Sequence, residues 1–306
     1  MSGDSVTEAK LHTEELKASP RVDVVLTTSK LDPKNGTIIL LGDSLLDDFN
    51  YLEDKSNDLR KELMRIGFKV NNYAVVGSKL ADIINGIEPN EDCRNSRCYP
   101  YPVSDDGKVY PLKLLAQPSI KPFVPVYNEG FLSFSKPINK SKEIEMIVIS
   151  AGGNNLRADV MKILLGLEGF FNGIINEEFI SNYDKLIEEA KKRTDRILIT
   201  SMYLPFLGPG SKYGMFGWIA TPVVNRWKQF IEPFAKKHNV PVLDLSQTFD
   251  SANREHYGST DMQPSNLSNK CIAKCIEYIY SNYNGYGVYF APDCDASKIQ
   301  LAPTDD

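Results

Sequence analysis

The chain has 306 residues, 42% of them hydrophobic, and a net charge of −5 from interspersed acids and bases. That is enough apolar chain for one large core, and no basic stripe is available to track a nucleic-acid backbone or an anionic membrane surface. The first residues are polar with no apolar leader, and no apolar run reaches the length of a membrane span, so the expectation is a cytoplasmic protein that meets small molecules or other proteins.

Residues 1–36 read as a polar tail, after which Ile38-Ile39-Leu40-Leu41 reads as a buried strand that ends at Gly42. Apolar side chains at helical spacing follow from about Phe49 to Ile66 (Leu52, Leu59, Leu63, Ile66). Further strand-type runs span 69–75, 145–149, 196–201 and 240–245. Between the third and fourth lies a helical stripe of Phe179, Tyr183, Leu186, Ile187 and Ala190. Another, Val224, Trp227, Phe230, Ile231 and Phe234, precedes the fifth, opened by Thr221-Pro222 and bent by Pro233. A last helix starts near Ser265 and ends at about Tyr280, and 286–306 reads as a C-terminal tail. Strands alternating with helices predict an α/β domain over 37–285, a parallel sheet covered on both faces with ligands bound beyond the carboxyl ends of its strands.

Residues 86–143 interrupt the alternation with eight prolines and many aromatics, Tyr99, Tyr110, Phe123 and Phe134 among them. This reads as an ordered insertion, either a lid or substrate wall or an excursion that binds a protein partner or serves packing alone. Cys93 and Cys98 within it are too few to argue a metal site, and the odd total of five cysteines argues against a disulfide framework, so free thiols and no metal are expected.

Three segments at strand ends carry the chemistry. Ser44 follows the first strand through Gly42-Asp43, a small turn at a strand-to-helix junction where backbone N–H groups favour developing negative charge. Gly77 follows Tyr73-Ala74-Val75-Val76 and offers an unhindered backbone N–H, while Asn154, after Gly152-Gly153, offers a side-chain amide. The N–H groups of Ser44 and Gly77 with the Asn154 amide would together make an oxyanion hole.

With these blocks in order, the chain resembles the SGNH, or GDSL-type, hydrolase family: Gly42-Asp43-Ser44-Leu45 matches the first block, Gly77 the second and Gly152-Gly153-Asn154 the third. The resemblance implies a flavodoxin-like three-layer α/β/α sandwich with a five-stranded parallel sheet. It also implies hydrolysis of a small-molecule carboxylic ester through an acyl-enzyme on Ser44, without a cofactor. Asp43, Gly153 and Asn253 would support the site.

The fourth block departs from the family. Where the family carries Asp-x-x-His-Pro, this chain has Thr260-Asp261-Met262-Gln263-Pro264, and Gln263 cannot accept a proton usefully near neutral pH. Of three histidines, His12 lies in the tail and His238 reads as a solvated helix end. His256 lies in the loop before the last helix, three residues after Asn253, and is the candidate base, with Asp250 or Asp261 as orienter. A fold that has kept the scaffold and lost the base, a binding or scaffold protein, is the alternative.

Overall fold

The computed structural model describes residues 37–46, 52, 54–74, 79–85, 144–156 and 175–303. The expected tail at 1–36, the insertion at 86–143 and Gly77 lie outside them. Among the described residues there are seven strands: β1 (Thr37–Gly42), β2 (Lys69–Asn72), β3 (Ile144–Ser150), β4 (Ile197–Thr200), β5 (Val242–Leu243), β6 (Val288–Phe290) and β7 (Gln300–Leu301). Their order in one sheet is β2-β1-β3-β4-β5-β6-β7. Every neighbouring pair is parallel except β6 with β7.

The five strands expected from sequence form the doubly wound order 2-1-3-4-5. The expected count is corrected by β6 and β7, which lie in the stretch read as a tail. They are three and two residues long, and unlike the equally short β5 they lie in no sustained apolar run, with Gly285, Gly287, Pro292, Asp293 and Asp295 close by.

Strand residues alternate between two apolar layers, because successive side chains leave a strand on opposite faces. Ile38, Leu40, Met146, Val148 and Leu198 pack on one side with α1 (Leu59–Ile66) and, later in the chain, the helix Asn266–Ser281. Ile39, Leu41, Ile147, Ile149 and Ile199 pack on the other with α2 (Leu80–Asn85), α3 (Glu177–Lys191) and α4 (Gly217–His238). A four-residue α5 (Leu245–Thr248) precedes the helix Asn266–Ser281, which is α6. The result is a three-layer α/β/α sandwich whose central strands are buried on both faces.

Three local expectations shift. Helix α1 begins at Leu59, where Asp58 accepts from the Lys61 N–H at 2.8 Å, so Ser44 sits in a separate turn closed by Leu46 N–H to Asp43 O at 3.1 Å. Helix α4 begins at Gly217, upstream of Pro222, and Thr221 bonds back to Gly217 O at 2.9 Å. His238 is buried, not solvated, and its Nε2 lies 2.5 Å from Asp184, which fastens α4 to α3.

Candidate active site

In this strand order the chain leaves β1 in one direction to reach β2 and arrives on its other side at β3, so a crevice opens beyond the carboxyl ends of β1 and β3. A cavity of about 130 Å³ lies there. Asp43, Ser44 and Leu45 form the wall after β1; Ser150, Ala151, Gly153 and Asn154 the wall at the end of β3; Thr200 to Tyr203 and Pro205 the wall at the end of β4. Met262 and Gln263 enter from the segment before α6.

Close approach of β1 and β3 builds the floor. Gly42 pairs with Ser150, and a Cβ at position 42 would lie 2.0 Å from Ser150 O, so only glycine fits. Gly152, at φ +98°, is held against Trp227, where a Cβ would stand 2.4 Å from the indole ring. This tight turn leads directly into a helical turn at 153–156 that carries Asn154. The next residue, Asn155, faces away and accepts from the Leu80 N–H at 2.9 Å, which fixes the start of α2.

Asp43 is only 7% exposed. Its Oδ1 accepts from Ser150 Oγ at 2.8 Å and from the Leu45 N–H at 3.1 Å. Desolvation outweighs these bonds and raises its pKa from 3.8 to about 6. Behind it on α3, burial first and then the Asp43 charge push the Tyr183 hydroxyl well above the usual phenol range.

Gln263 reaches Ser44. Its Nε2 donates to Ser44 Oγ at 3.0 Å, the one hydrogen bond of that hydroxyl among the described residues. Gln263 is held from its backbone, with Gly258 N–H donating to its carbonyl at 2.8 Å and its own N–H donating to Thr260 Oγ1 at 3.3 Å. Its Oε1 is buried with no hydrogen-bond partner among the described residues. The wall it belongs to is tied to the loop after β4: Tyr203 donates to Met262 O at 2.7 Å, Tyr257 to Leu204 O at 2.8 Å, and the Phe206 N–H to Asp261 O at 2.8 Å.

His256 is not brought to Ser44. The ring is 1% exposed, and its Nδ1 accepts from the Asp250 N–H at 2.9 Å, which leaves the proton on Nε2, 3.3 Å from Asn253 Nδ2. Nδ1 is claimed by the Asp250 N–H and Nε2 carries the ring proton, so the imidazole braces the 250–256 loop and has no free lone pair for a serine proton. Neither expected orienter serves it through a carboxylate. Asp250 caps Ala252 N–H at 2.9 Å, and Asp261 pairs with Arg254 at 2.6 Å and accepts from Lys212 N–H at 3.1 Å. Asn253 caps the turn at Glu255 N–H, 3.0 Å away.

Sequence reasoning therefore brought Ser44, Asn154, Asp43 and Gly153 to one cavity and missed the hydrogen bond of Gln263. Its signal was the position of Gln263 in the fourth block. Gly77 lies outside the described residues. Among the described residues no group of side chains suits a metal ion. Cys271, Cys275 and Cys294 are buried free thiols. The Cys271 thiol is raised first by its hydrogen bond with Cys275 and then by burial. No helix among the described residues is long and apolar enough to cross a membrane.

No family model and no curated protein matches the chain. Among solved structures it is similar to a lipase from a goat rumen metagenome, 15% identical with a TM-score of 0.47 over 82% of this chain and 98% of that one. It is also similar to a GDSL-like lipase from Bacteroides thetaiotaomicron, 13% identical with a TM-score of 0.43 over 84% of this chain and 93% of that one. A third is a carbohydrate acetylesterase family member from Sinorhizobium meliloti, 12% identical with a TM-score of 0.42 over 80% of this chain and 96% of that one.

Proposed function

We propose that this protein cleaves a small carboxylic ester, with Ser44 as the residue that becomes acylated, and that it does so without an imidazole base. The observation that carries this reading is Ser44 at the mouth of β1, in one cavity with Asn154 and with its Oγ fixed by Gln263 at 3.0 Å. Ser44 Oγ attacks the ester carbonyl. The Ser44 N–H and the Asn154 amide, joined by Gly77, hold the oxyanion; the alcohol departs and water releases the acid.

Gln263 has a defined part in this. An amide N–H donated to Oγ fixes the hydroxyl rotamer and stabilises negative charge on the oxygen, but it removes no proton. Turnover is then expected roughly 10²–10⁴-fold below that of a pocket with an imidazole at that place. The same hydrogen bond favours a second reading, an ester-binding protein with no turnover. Steady-state cleavage of short-chain 4-nitrophenyl esters separates the two. Ser44→Ala should abolish cleavage with an unchanged melting temperature, and Asn154→Ala should lower it by about 10²–10³-fold. A rate in Ser44→Ala equal to that of the wild type would remove Ser44 from its role.

A further inference from the structure

We propose that Cys271 and Cys294 are a disulfide-forming pair, oxidised by a hydroperoxide, that staples the C-terminal strand pair β6–β7 to α6. Nothing in this depends on the reading of Ser44. Two segments bring three thiols together: Cys271 and Cys275 lie one turn apart on α6, and Cys294 enters from the short 3₁₀ turn Pro292–Cys294 after β6. The three are buried, at 3%, 0% and 7% exposure, in the apolar layer that α1 and α6 form on the sheet. The Cys271 thiol shares hydrogen bonds with Cys275 and with Cys294. Cys294 Sγ also donates to Ser268 Oγ at 3.8 Å, a turn earlier on the same helix.

Helix geometry selects the pair. Residues four apart on an α-helix hold their Cβ atoms about 5–6 Å apart, beyond the roughly 3.5–4.5 Å that a disulfide spans, so Cys275 cannot join Cys271 without breaking a turn of α6. Cys294 carries no such restriction, because it meets α6 from another segment. Asp293 and Cys294 both have left-handed backbone, φ 54° and 56°, a conformation that residues other than glycine hold only where their surroundings impose it. Here the Cys294 N–H donates to Ala291 O at 3.0 Å, the Asp295 N–H to Pro292 O at 3.0 Å, and the Ala291 N–H to Thr248 Oγ1 of α5 at 3.2 Å. This anchored turn directs the Cys294 thiol at the face of α6 that carries Cys271. The hydrogen bond with Cys271 first, and burial after it, hold the Cys294 thiol well above its usual range, so the thiolate is scarce and oxidation is slow. Burial also restricts the oxidant to a small one.

Hydrogen peroxide balances the reaction. One sulfur gives an electron pair to a peroxide oxygen; the O–O bond breaks, the thiol proton leaves with the departing oxygen as water, and a sulfenic acid remains. The second sulfur attacks the sulfenic sulfur, its S–H bond and the S–O bond break, a second water leaves, and the S–S bond forms. Two thiols and one peroxide thus give one disulfide and two waters, with both sulfurs oxidised and both peroxide oxygens reduced. The bond closes the chain over 271–294, and so ties β6, which pairs with β5, to the helix that follows the Gln263 segment.

The test uses the full chain carrying Cys93→Ser and Cys98→Ser, which leaves Cys271, Cys275 and Cys294 as its cysteines. It is exposed to millimolar hydrogen peroxide, quenched, denatured, alkylated and peptide-mapped. The expected result is a peptide cross-linked between Cys271 and Cys294, an intact mass lower by two hydrogens, and a melting temperature higher by about 5–10 °C, all reversed by dithiothreitol. Adding Cys275→Ser should keep the cross-link, whereas adding Cys294→Ser should lose it together with the gain in melting temperature. Recovery of Cys271 and Cys294 as alkylated thiols, their oxidation to sulfinic acids without a link, or a link from Cys271 to Cys275 overturns the pairing. A complete cross-link that leaves the melting temperature unchanged overturns the staple.

Discussion

Two side chains at the cavity, Gln263 and Asp43, have surroundings that residue type alone does not reveal. Gln263 is visible in the sequence as the loss of a histidine, but only the fold shows its Nε2 on Ser44 Oγ. Asp43 reads in sequence as a supporting turn residue; its burial between β1 and β3 turns it into a carboxyl with a pKa near 6. That shift has a stability consequence. The folded state holds the proton more tightly than the unfolded state, so stability falls as pH rises from about 4 to 6. The penalty above that range is about 3 kcal/mol for a shift of this size. Asp43→Asn removes the ionisation, so chemical denaturation at pH 8 should show a gain of up to about 3 kcal/mol that vanishes near pH 4. An equal change at both pH values would contradict a buried, ionised Asp43. The orphaned Oε1 of Gln263 works in the same direction, since a buried unpaired acceptor costs about 1–3 kcal/mol.

At the scale of elements, the site is placed by strand ends and corrected by loops. Ser44 and Asn154 were legible because each follows a clear apolar strand, and parallel strands bring their carboxyl ends to one edge. Gly42 makes the approach possible, with Ser150 O only 2.0 Å from a hypothetical Cβ. Gly42→Ala should therefore force β1 and β3 apart and cost about 1–3 kcal/mol or more, measured by chemical denaturation, and it should slow Ser44 chemistry as well. A neutral substitution would mean that the two strands are farther apart than described. Loop geometry was not legible. His256 stands in the expected loop, yet a ring direction depends on which backbone group claims it, and the Asp250 N–H claims Nδ1 at 2.9 Å. Asp261, an alternative orienter in sequence, instead ties Arg254, Lys212 and Phe206 together and so holds the wall that carries Gln263. Its left-handed backbone, φ 61°, has no one-dimensional signature.

For the molecule as a whole, the alternation of strand and helix was enough to give the doubly wound sheet and its two helical layers, because burial of both faces demands long apolar strands that stand out in the sequence. The two added edge strands did not stand out, since their short segments owe their structure to pairing with β5 and with each other. The same fold brings a serine hydroxyl, a side-chain amide and a carboxylate to one cavity and places Gln263 where the resemblance implies a histidine. The central claim is that Ser44 is a working nucleophile there. The most direct measurement is peptide mapping by mass spectrometry of the folded wild-type protein after exposure to an alkyl fluorophosphonate at pH 8. An adduct on Ser44, absent from Ser44→Ala, is the result the account predicts; a folded protein that stays unmodified, or carries its adduct on another residue, would contradict it.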